Sequence, residues 1–362
     1  MVIAGIDGEV DFAGKRPISM PPPALKLGID ADALRGNWQV LDRLSGTARA
    51  GAAVKANGYG IGARVVVPEL LAAGCQAFFV AHPGEAAELL DLVPAAALSV
   101  LHGPLRDEDA AWMRAVGVKP VINSLPQARR WLGAGGGPCD LMVDTGINRL
   151  GLSLSELGSE AVGALDVDVL LSHLSSAEEV SPRNAVQLAG WREAQAAVPH
   201  RRASLANSAG IALGAAYHGD LTRPGLALYG GVPCDALAGS IRQVVRPQAA
   251  IMQVRAIAAG EAVGYNAVFV APCDMRVGTI ALGYADGYLR CWSGKGMLHA
   301  QGHRLPVLGR VSMDMTVIDL THAPELTEGD WVEVDYHLPD AAAASGLSQY
   351  ELLTLLGARF GR

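Results

Sequence analysis

The feature that most constrains this chain is a change of rhythm near residue 246. Upstream, short apolar runs near 51–55, 77–81, 98–101, 119–122, 140–144, 169–173, 203–206 and 223–228 alternate with stretches of helical spacing, such as 83–91, 107–116, 125–133 and 183–197. Runs this short and this apolar suit strands buried on both faces. Eight of them alternating with helices predict an α/β fold, a closed (β/α)8 TIM-like barrel. An open doubly wound sheet shares the alternation, and strand counting separates the two only weakly. Downstream, the segments 251–257, 276–281, 305–308, 315–320 and 331–334 read as strands broken by Gly, Pro and Asp, with one helix near 348–356. The expected organisation is a flexible N-terminal lead over 1–23, a barrel over 24–245 and a mainly β domain over 246–362. Within the second stretch, Leu25–Ile29 reads as a short strand. Asp30 then caps a helix whose Leu34, Trp38 and Leu41 share one face.

Composition narrows the function classes. The chain has 29 basic and 36 acidic residues, a formal charge of -7, and no basic run interleaved with aromatics, so it offers nucleic acid no electrostatic footprint. Cysteines at 75, 139, 234, 273 and 291 have no paired spacing and read as reduced thiols, with no metal site and no disulfide frame. The longest uncharged run, 203–219, carries Ser, Asn and His, so no membrane span is expected. Asp7, Glu9 and Asp11 stand where a secretory signal wants basic and then apolar residues. These features predict a soluble cytoplasmic enzyme.

The strongest local signal is Ala53-Val54-Lys55-Ala56-Asn57-Gly58-Tyr59-Gly60. A lysine ending a buried strand is desolvated, which lowers its pKa and favours the neutral, nucleophilic amine that forms Schiff bases with aldehydes. The ordinary alternative is a lysine snorkelling from a strand end. Other segments are weaker alone. Arg223-Pro224-Gly225 reads as a tight loop with a surface arginine, and Asn207-Ser208-Ala209-Gly210 as a common turn. His173 after a strand is ordinarily a satisfied core histidine. No spacing rule picks one tyrosine out of the chain's eight.

Taken in order from about residue 25 to 360, these segments resemble the pyridoxal-phosphate-dependent alanine racemase family. The resemblance implies an isomerase that interconverts L- and D-alanine by a two-base mechanism, in peptidoglycan precursor supply or alanine catabolism. Lys55 is then the cofactor lysine and one base; Tyr265, in Val263-Gly264-Tyr265, is the other. Tyr59, Asn207, Ser208 and the main chain at Gly225 and Leu226 are expected to hold the cofactor phosphate. Arg223 is expected to face the pyridine nitrogen and His173 to lie against the ring, in contact with the catalytic tyrosine. A guanidinium there donates a hydrogen bond without giving up its proton, so the ring stays a weaker electron sink, which suits proton exchange. Arg149, Tyr284 and Met313 are implied at the substrate. The family's shared sites imply a homodimer in which Tyr265, Tyr284 and Met313 act in trans. Rival readings are a broader, serine-type racemase and a non-enzymatic cofactor carrier built from a barrel alone.

Two departures carry expectations of their own. Met142 replaces a lysine that in many members is carbamylated, and a buried Arg149 without a counter-charge is costly. Asp140, expected on the same strand face, is one candidate anion; a bound chloride near Arg149 is favoured. The segment Ala358-Arg359-Phe360-Gly361-Arg362 stops about two residues short of the Arg-x-Tyr-like end whose tyrosine the family commonly uses at the phosphate, so either the sequence is truncated there or that contact is absent.

Overall fold

The structure, a computed structural model, describes residues 21–361, so most of the lead expected over 1–23 lies outside the described residues. Among the described residues, seven parallel strands follow one another through one sheet in chain order: Ala52–Ala53, Phe78–Val80, Leu98–Val100, Lys119–Ile122, Pro138–Met142, Asp166–Leu171 and Arg202–Ser204. An eighth, Leu221–Thr222, closes the ring. It pairs in parallel with Arg49–Ala50, just before Gly51, while the Asp220 and Arg223 N–H groups donate to the carbonyls of Ala203 and Ala206. The predicted barrel is therefore the observed one, and these closing pairs exclude the open sheet.

Why the strands stay buried follows from their residues. Phe78, Leu98, Val100, Val121, Ile122, Leu141, Val169 and Leu170 have no exposed surface, each side chain contributing about 1.5–3 kcal/mol by leaving water. The helices Asp107–Val116, Leu125–Gly133 and Pro182–Ala197 fall where the spacing placed them. Two expectations shift. The run 223–228 is apolar because it is buried, but Pro224 and Gly225 end the strand, and Leu226–Tyr229 folds as a 3-10 turn. The stretch 83–91 forms only the short helix Pro83–Ala87.

Toward the strands' N-terminal ends the barrel holds a paired charge network. Lys119 Nζ lies 2.6 Å from Asp168 and 3.5 Å from Asp140, and Arg202 meets Asp168 at 2.7 Å. Polar groups at the C-terminal ends remain available for chemistry.

The remaining strands form a second, antiparallel barrel. Val245–Ile257, Met275–Ile280, Thr316–Asp319, His303–Leu308, Met297–Ala300 and Trp331–Val334 pair in that order, and the last pairs back onto the first. Closure leaves no bare edge in that ring. Leu25–Ile29 was expected to open the barrel stretch 24–245; it instead pairs antiparallel with Val245–Ala249 of the β domain. The helix after it, Ala31–Leu44, is capped by Asp30 Oδ1, which accepts the Ala33 N–H at 2.8 Å, and it buries Leu34, Trp38 and Leu41. The helix expected near 348–356 is Gln349–Thr354, and it is preceded by a second helix, Leu338–Ser345, that the sequence reading did not separate from an alanine tract.

Candidate active site

The C-terminal ends of the parallel strands surround a cavity of about 770 Å³. Nine residues singled out in the sequence line it: Lys55, Tyr59, Arg149, His173, Asn207, Ser208, Arg223, Gly225 and Leu226, with Met142 beside them. They come from five different strand ends and loops, the usual construction of a site in this kind of barrel.

Lys55 follows the first barrel strand and opens an unusual turn. Ala56, Asn57, Gly58 and Tyr59 all hold left-handed backbone, with φ of 52°, 52°, 61° and 55°. Each such residue other than glycine costs about 1–2 kcal/mol. The turn is held by the Gly58 N–H donating to Val54 O at 2.8 Å and by Asn57 Oδ1 accepting the Ala63 N–H at 2.7 Å. It brings Lys55 and Tyr59, four positions apart, to one cavity. Burial lowers the Lys55 pKa, and Arg149 and Arg223 lower it further, against an opposing contribution from Glu85. The neutral amine predicted from a strand-end lysine is thereby favoured.

A cradle for an anion forms opposite. Ser208 Oγ accepts the N–H groups of Gly225 at 2.9 Å and Ala227 at 3.2 Å, which leaves its own hydroxyl hydrogen to donate. The main-chain donor expected at Gly225 is thus spent inside the cradle, whereas the Leu226 N–H carries no protein acceptor among the described residues. Asn207 caps the short helix Ser208–Ala212, accepting the Gly210 N–H at 2.9 Å. Burial pushes the Tyr59 phenol up to about 12, so it stays a neutral donor. A Cβ at Gly225 would stand 2.2 Å from the Tyr59 oxygen; only glycine lets loop and phenol approach this closely. The Ser208 and Tyr59 hydroxyls and the Leu226 N–H are three donors on one side of the cavity, which suits an anionic group such as a phosphate ester.

Arg223 is buried, and burial pulls its pKa down to about 10, against the opposing charge of Asp140, so it remains protonated at neutral pH. Its terminal nitrogens donate to Ser204 Oγ and to the carbonyls of Ser172 and Leu205, which fixes the guanidinium plane. His173 is pushed down to about 3 by burial and by the charges of Arg223, Arg149 and Lys55. It is a neutral imidazole. The two residues interact through charge, and no hydrogen bond joins them among the described residues.

Arg149 sits on a tight loop between Asp144, whose Oδ1 accepts the Gly146 and Ile147 N–H groups, and Leu152, which bridges back to Val143. Its side chain is exposed, so within this chain it is not the buried, unpaired guanidinium expected beside Met142. Asp140 is not its counter-charge. That carboxylate is fully buried and engaged by Ser99 Oγ at 2.5 Å, the Val169 N–H at 3.2 Å and Lys119.

Tyr265, Tyr284 and Met313 do not line this cavity. They gather on the β domain instead. The Tyr284 N–H donates to Ser312 O at 3.0 Å, the Ala285 N–H to Met313 O at 3.0 Å, and Gly264 lies against the main chain of Arg310. Tyr265 is 65% exposed and Met313 53%.

The sequence reading missed Tyr350, Glu178 and His102, which also line the cavity. Tyr350 stands 6.3 Å from Tyr59, ring to ring, and donates to Glu178 Oε1 at 2.9 Å. Its ring thus joins the cavity wall near Tyr59, with its hydroxyl engaged by Glu178. Its helix was legible from Ser348 and Glu351, but a contact across nearly three hundred residues leaves no local signal.

Residues 29–233 match the family described as alanine racemase, N-terminal domain, and residues 244–362 the alanine racemase, C-terminal domain. The chain is 41% identical to an alanine racemase of Acidiphilium cryptum over 93% of its own length and 97% of the relative's. It is 42% identical to one of Rhodospirillum rubrum over 93% and 94% of the two chains. Among solved structures it resembles the alanine racemase of Bartonella henselae with covalently bound pyridoxal phosphate. That likeness has a TM-score of 0.87 and 34% identity, covering 94% of this chain and 99% of that one.

Proposed function

The chain belongs to the alanine racemase family, and on that premise we propose that the barrel cavity binds pyridoxal phosphate on Lys55 and interconverts L- and D-alanine there. The observation that carries the reading is the meeting, in one cavity, of a pKa-lowered lysine, a phosphate cradle and a protonated arginine whose plane is fixed. Tyr59, Ser208 and the Leu226 N–H would hold the phosphate, with Asn207 shaping the turn. Arg223 would meet the ring nitrogen and His173 the ring face. When bound, the cofactor supplies an electron sink that acidifies the α-proton of the amino acid.

The remaining work falls to side chains of the protein. Lys55, neutral at its lowered pKa, accepts or returns the α-proton on one face. A second group must serve the other face, and Tyr265 is assigned to it. Because Tyr265, Tyr284 and Met313 lie outside their own chain's cavity, with Tyr265 and Met313 exposed and Tyr284 half-buried, they are assigned to the cavity of a second subunit in a homodimer. Met313 would offer a backbone donor to the substrate carboxylate and Tyr284 would stand at the entrance. Arg149 binds the substrate carboxylate in this arrangement. Once the partner covers it, Met142 leaves it without a covalent anion, and a chloride ion is the proposed counter-charge.

All five cysteines are free thiols, and no helix among the described residues is long and apolar enough to cross a membrane. Both fit the cytoplasm as the proposed location. The direct experiment is a visible absorption spectrum together with a D-alanine assay on purified protein. Racemisation of L-alanine by a yellow protein is expected; a colourless, inactive protein overturns the reading. The same assay across a panel of L-amino acids separates a strict alanine enzyme from a serine-type one.

A further inference from the structure

We propose that Glu85 is a positioning residue for the Lys55 amine, acting through the backbone at the ends of the first two barrel strands. The proposal rests on the reading of Lys55 as the cofactor lysine. The Glu85 carboxylate spans two main-chain donors: Oε1 accepts the Ala56 N–H at 2.7 Å and Oε2 accepts the Ala81 N–H at 2.6 Å. The first belongs to the peptide immediately after Lys55. The second follows Phe78–Val80, which pairs with Ala52–Ala53, the strand just before Lys55.

Holding the Lys55–Ala56 peptide plane sets the direction in which the lysine side chain leaves the strand. The device sits at the entry to the left-handed run Ala56–Tyr59, whose first residue is exposed and has only a methyl side chain, with no polar group to brace the backbone. Glu85 itself is shielded, with 15% of its side chain exposed, and sits in the first turn of the short helix Pro83–Ala87. Hydrogen bonds from amides to a carboxylate are stronger than neutral ones, and bidentate geometry adds direction.

Charge gives the same residue a second effect on Lys55. The groups whose charge acts on that amine are Arg149 and Arg223, which favour its neutral form, and Glu85, which opposes them. His173, itself acted on by Lys55, is neutral. His82, whose Nε2 lies 3.9 Å from Glu85 Oε1, and His102 and Tyr59, on the cavity wall, are further titratable groups nearby. Glu85 therefore limits how far the two arginines depress the lysine, while fixing its origin.

The test uses the full-length holoenzyme and two variants. Hydrogen exchange resolved to single amides should show Ala56 and Ala81 protected in the unmodified protein, although Ala56 is solvent-exposed. Glu85→Gln, which presents an amide N–H where an acceptor is needed, should speed exchange at one or both by about tenfold or more, with Ala63 unchanged. In the same variant, the acidic limb for re-addition of pyridoxal phosphate to stripped full-length protein should move to lower pH. Glu85→Asp keeps the charge but is too short to span both amides; its limb should stay while at least one amide loses protection. Unprotected Ala56 and Ala81 amides in the unmodified protein overturn the proposal even if no variant folds. So does a Glu85→Gln protein with unchanged exchange and an unchanged limb. Borohydride labelling of Lys55 in the unmodified protein separates this outcome from failure of the underlying reading, in which the label would fall on another lysine.

Discussion

The Tyr59 hydroxyl occupies the space that a side chain on residue 225 would need: a Cβ at Gly225 would lie 2.2 Å from that oxygen. Gly225→Ala must therefore push the phenol out of the phosphate cradle or shift the loop that carries Leu226. The expected result is a folded protein whose dissociation constant for pyridoxal phosphate rises by about tenfold or more, the equivalent of losing one good hydrogen bond. An absorbance titration measures it. Unchanged affinity would contradict the cradle.

His173 makes a prediction about stability. Its pKa is about 3 in the folded chain against 6.5 for a free imidazole. Between those values the unfolded chain binds a proton that the folded chain refuses, so stability falls as pH drops through that window and is fully present above it. In His173→Gln, urea midpoints measured from pH 7 to pH 4.5 should fall less than in the parent. Equal slopes would show that His173 titrates normally.

Shared sites predict complementation. Lys55→Ala and Tyr265→Phe subunits should each be inactive alone, and mixing them should restore part of the activity, since a heterodimer contains one site with both residues intact. Heterodimers demonstrated by native mass spectrometry yet devoid of activity would argue that Tyr265 does not act across the interface.

Arg149 and Met142 predict an anion effect. With Asp140 already held by Ser99, Val169 and Lys119, no carboxylate of the nearby strand is free to steady the guanidinium. Activity at constant ionic strength should then depend on chloride, and crystals should show an anion beside Arg149. Replacing chloride by a bulky inert anion without kinetic effect, and with no density at that place, refutes the idea.

How much of this was legible beforehand depended on the range of the interaction. Strands such as Phe78–Val80 and Leu98–Val100, and helices such as Asp107–Val116, follow from local apolar spacing and capping, and the sequence placed them within a residue or two. The run 223–228 misled because burial, not extended backbone, explains its apolar residues. Leu25–Ile29 was recognisable as a strand, but its partner Val245–Ala249 lies over two hundred residues away. The site shows the same division. Lys55 and Arg223 stood out through their flanking motifs, whereas Tyr350 and Glu85 are defined by what they reach across the fold, to Tyr59 and to the Ala56 amide. The left-handed run at Ala56–Tyr59 had no sequence signature beyond Asn57 and Gly58.

Lys55 is the residue on which the proposed cofactor chemistry depends. Purified protein reduced with borohydride, digested and mapped by mass spectrometry should carry the pyridoxyl label on the peptide containing Lys55 and on no other. The visible absorbance of the cofactor should disappear in Lys55→Ala. Label on a different lysine, or a Lys55→Ala protein that binds the cofactor covalently as before, would contradict the account.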